Sequence, residues 1–148
     1  MVSTKVYSLL SLLAYCNPSD FKTTSNKRNI EDRLEEIVSY LKQTPKYKDL
    51  INEWSIVDAQ EIPGTGFKAI ALGRDLNGDG IYDEVTISYA GTDSLADIGE
   101  DVLLATIGLN TQMGYALNFY QKITNLGNCK DANISFTGHS LGGALAMF

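Results

Sequence analysis

Apolar side chains recur at Ile30, Leu34, Ile37, Val38 and Leu41, while Glu31, Asp32, Arg33, Glu35 and Glu36 fill the positions between them. A 3.6-residue period of this kind gathers the apolar groups into one stripe, which predicts an amphipathic helix over 29–44. Asn29 is a natural cap for it and Pro45 stops it. Its charge run reads as a solvated face. Upstream, residues 6–16 are almost continuously apolar, which predicts a buried first helix ended by Pro18. That run is too short to span a bilayer. Asn17-Pro18 follows it without a small-x-small cleavage pattern, which argues against a secretory signal and leaves the compartment open.

The period changes after residue 53. Trp54-Ser55-Ile56-Val57 begins strand-type sequence, with Trp54 as a core anchor. Two further strand-like runs, 66–72 and 81–90, are joined by Arg74-Asp75-Leu76-Asn77-Gly78-Asp79-Gly80, for which a β-hairpin is the simplest connection. The 148 residues are 44% hydrophobic and 20% charged, values of one ordinary globular domain rather than of a disordered chain. A net charge of −6 argues against a nucleic-acid partner and against electrostatic attraction to anionic lipid, so any membrane contact would have to be hydrophobic. Cys16 and Cys129 permit one disulfide, and two buried thiols fit equally well.

Within the hairpin joint, oxygen donors stand at Asp75, Asn77, Asp79 and Asp83, with Gly80 between them and the carbonyl of Ile81 available. Alternate side chains on a tight loop suit a hard cation, which makes a structural Ca²⁺ site one expectation. The loop departs from an EF-hand, since Thr86 stands where a bidentate Glu would be. It is more similar to the calcium loops carried on β-hairpins in integrin-type repeats. The alternative is a metal-free Asn-Gly, Asp-Gly turn, because Asp and Asn favour turns by themselves.

The stretch Thr137-Gly138-His139-Ser140-Leu141-Gly142-Gly143-Ala144-Leu145-Ala146 places a serine between glycines, after an apolar run and before helix formers. In the pattern G-x-S-x-G, met by Gly138, Ser140 and Gly142, a strand turns into a helix so tightly that only residues without a β-carbon fit two positions to either side of the serine. Ile134-Ser135-Phe136 have strand character and residues 144–147 helix character, as such a nucleophile elbow requires.

Together with Tyr89-Ala90-Gly91-Thr92, this elbow resembles the class 3, or fungal-type, lipases of the α/β-hydrolase fold. Further similarities are the Asp-x-x-x-Asp spacing of Asp97 and Asp101, a Gly-aromatic helix start at Gly114-Tyr115, and Leu12-Leu13-Ala14-Tyr15-Cys16, which is similar to the family's first helix. The resemblance implies an α/β fold with a mostly parallel sheet flanked by helices, the hairpin 66–90 being an antiparallel excursion that feeds the strand before Thr92. It implies Ser140 as acyl nucleophile and the backbone N–H groups of Leu141 and Thr92 as oxyanion donors, without a catalytic cofactor. It also implies a lid over 93–98, where Leu95 and Ile98 would dock above a lipid or other acyl-ester substrate.

The α/β-hydrolase order is nucleophile, acid, histidine, yet no Asp, Glu or His follows Ser140. The sole histidine, His139, adjoins the nucleophile on a strand, where neighbouring side chains face opposite ways, so it is not placed to take the Ser140 proton. The expectation is therefore that residues 1–148 form the N-terminal portion of a single lipase-like hydrolase domain, incomplete after the elbow. As a whole protein it would be a serine ester hydrolase of lipase or phospholipase type. The alternative is a non-catalytic lipase-like or calcium-stabilised binding module on the same fold.

Overall fold

The computed structural model describes residues 2–15, 29–91 and 102–138, with 102–109 described as backbone. Helix α1 (Thr4–Leu13) starts where the Ser3 side chain accepts the Val6 N–H. Helix α2 (Ile30–Gln43) starts at Asn29, whose side chain accepts the Glu31 N–H at 2.8 Å, and buries the stripe read from the sequence. Pro45 does end α2, but it also opens a further helix, α3 (Pro45–Ile51), as its first residue. A proline at that position forfeits no helical hydrogen bond, since the first N–H groups of a helix have no partner within it.

Four strands follow: β1 (Trp54–Ile62), β2 (Phe67–Arg74), β3 (Glu84–Tyr89) and β4 (Asn133–Gly138). Between the last two lie helix α4 (Val102–Thr124) and a 3₁₀ turn, Gly127–Cys129. The strands form one sheet in the order β1-β2-β3-β4, with β1-β2 and β2-β3 antiparallel and β3-β4 parallel. The expectation of a mostly parallel sheet is thus corrected for the described residues, where the sheet is mostly antiparallel. The reason lies in the connections. Short links join β1 to β2 and β2 to β3, and these close only antiparallel pairs. The long connection containing α4 permits the one parallel pair. The hairpin expected over 66–90 is present as β2 and β3.

Alternation along the central strands divides the core. Ile70 and Leu72 face α1, α2 and α3, while Phe67, Ala69 and Ala71 join Val85, Ile87 and Tyr89 in facing α4. Helices therefore cover both faces of the sheet, as expected of an α/β architecture. A register shift between Ile56 and Asp58 changes the parity of β1, so that Ile56 and Ala59 both face the α2 side while Val57 packs toward α4. Trp54 is 1% exposed and lies in the core as read. Arg74, its cross-strand partner, stands over its ring with 5.3 Å from guanidinium to ring centroid and ion-pairs with Glu84.

The Gly114-Tyr115 helix start is also corrected, since α4 runs unbroken from Val102 to Thr124 with Gly114 in its interior. No helix among the described residues is long and apolar enough to cross a membrane.

Candidate functional site

The parallel pair fixes where β3 and β4 end. Ser88 pairs with Thr137 and Tyr89 with Gly138, so both strands finish at the same level, side by side. In sequence, Thr92 stands three residues beyond Tyr89 and Ser140 two beyond Gly138. Thr92, Ser140 and Leu141 themselves lie outside the described residues, as do His139, Asp97, Asp101, the segment 93–98, Cys16 and Pro18. What the structure describes is the platform from which those segments leave.

The two faces of this platform differ. On the α4 side, Tyr89 is almost fully buried, and its hydroxyl donates to the Ala116 carbonyl at 3.0 Å. Its ring stacks on Phe136, with centroids 6.5 Å apart and 10° between planes. Burial, with a smaller effect from neighbouring Tyr120, holds the Tyr89 phenol well above its ordinary pKa.

The α1 side carries hydroxyls instead. Thr86 bonds Ser135 across the pair at 2.8 Å, and the buried Ser88 donates to the Leu10 carbonyl at 2.8 Å. Thr137 and Ser11 join hydroxyls at 2.6 Å. Ser11 also donates to the Tyr7 carbonyl at 2.9 Å. Helix α1 is thus tied to the last residues of both strands. At its end the Tyr15 hydroxyl accepts the Gly91 N–H at 3.2 Å, and the Tyr15 carbonyl accepts from Lys68 Nζ at 3.2 Å. None of these polar ties was read from the sequence. The available signal was the recurrence of hydroxyl residues at alternate positions, Thr86 and Ser88 on β3 and Ser135 and Thr137 on β4.

The hairpin loop is described in full. The Asp75 carboxylate accepts the Gly78 and Gly80 N–H groups at 2.7 and 2.8 Å. Asn77 accepts from Asp79, Asp79 from Ile81, and Asp83 from Leu76. Gly78 and Gly80 have φ of 76° and 85°, which only glycine adopts without strain. The Gly80 N–H, more than any other group, holds the Asp75 carboxyl below its ordinary pKa, keeping it ionised. Among the described residues no group of three or more His, Cys, Asp and Glu is arranged to hold a metal ion. The donor chemistry of Asp75, Asn77, Asp79, Ile81 and Asp83 matches a hard cation, but the loop as placed is closed by its own amides.

Cys129 is a buried free thiol whose pKa burial raises. The same region contains Tyr82, whose backbone N–H donates to the Asn128 carbonyl at 2.9 Å.

No protein-family model, curated protein or solved structure matches the chain. The case for a function therefore rests on this chain's own residues, foremost the elbow pattern and the two strand ends that precede Thr92 and Ser140.

Proposed function

We propose that this chain supplies the nucleophile and the oxyanion donors of a serine ester hydrolase of the class 3 lipase type, on an α/β-hydrolase fold. The observation that carries the reading is the register of the parallel pair, in which Tyr89 and Gly138 close neighbouring strands just before the Gly-Thr segment and the G-x-S-x-G pattern. In open α/β sheets, ligands bind in the crevice outside the carboxyl ends of the strands. A nucleophile and an oxyanion donor must converge on one carbonyl, and segments that leave adjacent strand ends start close enough to do so.

In this reading the Ser140 oxygen attacks the acyl carbon of an ester as its proton passes to a general base. The carbonyl oxygen becomes an oxyanion, held by the N–H groups of Leu141 and Thr92. Collapse breaks the ester C–O bond, the alcohol leaves with the proton returned by the base, and water then hydrolyses the acyl-serine to the carboxylic acid and free Ser140. Residues 141–148 contain no Asp, Glu or His, and His139 adjoins the nucleophile, so no residue of this chain is assigned as base. The substrate class is a lipid or other carboxylic ester, and any membrane contact is interfacial and apolar.

A structural Ca²⁺ on the loop from Asp75 to Asp83 is a separate proposal. Its support is three carboxylates and one amide on a single exposed turn, with Asp75 already held ionised.

A fluorophosphonate tests the hydrolase reading in the protein as its gene encodes it. Mass spectrometry should find the adduct on Ser140, and an ester substrate should protect against it. Labelling elsewhere, or none, would overturn the reading.

A further inference from the structure

We infer that Gln112 is a substrate-recognition residue, whose buried amide oxygen accepts a hydrogen bond from a hydroxyl group of the ester. The inference rests on the hydrolase reading above and deepens it, since it names a chemical feature of the substrate and a residue that neither the elbow nor the Gly-Thr segment contains.

Among the described residues, Thr86, Ser88 and Gln112 carry polar side chains out of reach of water. The hydroxyls of Thr86 and Ser88 are both paired. Gln112, 5% exposed, is satisfied on one side alone. Its Nε2 donates to the Thr65 carbonyl at 2.8 Å, whereas its Oε1 is the one buried side-chain polar atom among the described residues without a partner. A carbonyl only accepts, so the NH₂ group must face Thr65 and the amide cannot be turned over to pair its oxygen there. An acceptor buried in this state costs stability unless a donor from outside the chain completes it.

The position of Gln112 identifies the donor. Tyr89, at the end of β3, meets the Ala116 carbonyl, and Tyr82, before β3, meets Asn128, after α4. Helix α4 therefore runs against β3, and each turn toward its start lies about 5.4 Å further along the direction in which β3 points. Gln112 stands one turn before Ala116, hence beyond the last residue of β3. Strand β2 places its anchor at the same level. Ala69 is the register partner of Tyr89, so Phe67 and Thr65, which precede Ala69 on an antiparallel neighbour, also lie beyond that strand end. The Thr65 hydroxyl accepts the Phe67 N–H at 3.1 Å and donates to the Ile62 carbonyl at 2.6 Å, which fixes the turn that holds the amide. The Gln112 oxygen is thus set at the level of the crevice outside the carboxyl ends of the strands, where ligands of open α/β sheets bind. A neutral buried acceptor suits a neutral donor, because an ammonium group brought there would be left without a counter-charge. On an ester that neutral donor is a hydroxyl.

The test compares esters that differ by a hydroxyl against a methyl group, in the protein as its gene encodes it. In one arm the group sits on the acyl part, p-nitrophenyl 3-hydroxybutyrate against 3-methylbutyrate. In the other it sits on the alcohol part, 2-hydroxyethyl butyrate against propyl butyrate. One arm should show kcat/KM about tenfold higher for the hydroxyl ester, carried by KM because the contact is the same in the ground and transition states, and Gln112→Met should remove the preference. Equal values in both arms, as when water completes the amide, or a preference that survives Gln112→Met, would overturn the inference and leave the hydrolase reading standing. Turnover that is absent, or that survives Ser140→Ala, would overturn the hydrolase reading, and this inference with it. A second measurement leaves position 112 unchanged. In Ser140→Ala, the NMR signal of the Gln112 side-chain carbonyl carbon should shift on addition of the favoured hydroxyl ester and not of its methyl counterpart, and an identical response to both would overturn the inference.

Discussion

Tyr89 and Gly138 are the last register partners of the one parallel strand pair, and the chain passes from them toward Thr92 on one side and Ser140 on the other. The side chain of Tyr89 anchors this end of the sheet to α4 through the Ala116 carbonyl. Tyr89→Phe removes that bond, keeps the ring stacked on Phe136, and leaves a buried carbonyl with one partner fewer. The expected cost is about 1 kcal/mol, read as a lower urea midpoint with an unchanged slope.

The same phenol produces a pH dependence. Its folded pKa is raised, so the folded state favours the neutral form while the unfolded chain ionises near the ordinary value of about 10. The stability it contributes is fully present below pH ~10 and is lost as pH climbs above that value. Urea unfolding between pH 8 and 11 should show a loss at the alkaline end that is smaller in Tyr89→Phe. Identical slopes in the two proteins would contradict the burial argument.

Gly73, in the middle of the sheet, is required by a neighbour. A Cβ built there would stand 2.5 Å from Cδ1 of Tyr82, so the ring must move if any side chain is added. Gly73→Ala should destabilise by about 1–3 kcal/mol, the usual range for overpacking. In a double-mutant cycle, adding Tyr82→Ala should relieve part of that cost, and strict additivity of the two changes would show that the clash is not its source.

The loop at Asp75 predicts responses to metal and to acid. Ca²⁺ should raise the melting temperature by mass action, Mg²⁺ should do so poorly, and Asp75→Asn should abolish the effect. No calcium heat and no thermal shift would identify the loop as a turn held by its own amides. The acid response holds in either case. Asp75 has a lowered folded pKa, so its stabilisation is full above its ordinary value near pH 4 and disappears as pH falls through the folded value. Asp75→Asn should flatten that acid limb.

Local patterns were legible where one physical preference dominates. The stripe from Ile30 to Leu41 and the cap at Asn29 gave α2, and the turn residues Asn77 to Gly80 gave the hairpin. Helix α4 was not legible as one element, because its first residues, Val102-Leu103-Leu104-Ala105, carry no polar group to set a period, and Gly114 reads as a boundary although the helix runs through it. Helix α3 was hidden because Pro45 both stops one helix and starts the next. The antiparallel character of most of the sheet follows from connection lengths rather than from residue types. At the site, Ser140 and Thr92 stand out as motifs, whereas Tyr15, Ser11 and Ser88 gain their roles only from contacts across 76, 126 and 78 residues of sequence, which no local pattern encodes.

The central claim is that Ser140 is an acyl nucleophile served by the ends of β3 and β4. It is tested most directly by the steady-state rate of p-nitrophenyl ester hydrolysis in the protein as its gene encodes it, measured beside Ser140→Ala at equal folded concentration. The account predicts turnover that falls by at least ~10³-fold in the variant, the scale on which loss of a catalytic serine is felt. Equal rates in the two proteins would contradict it.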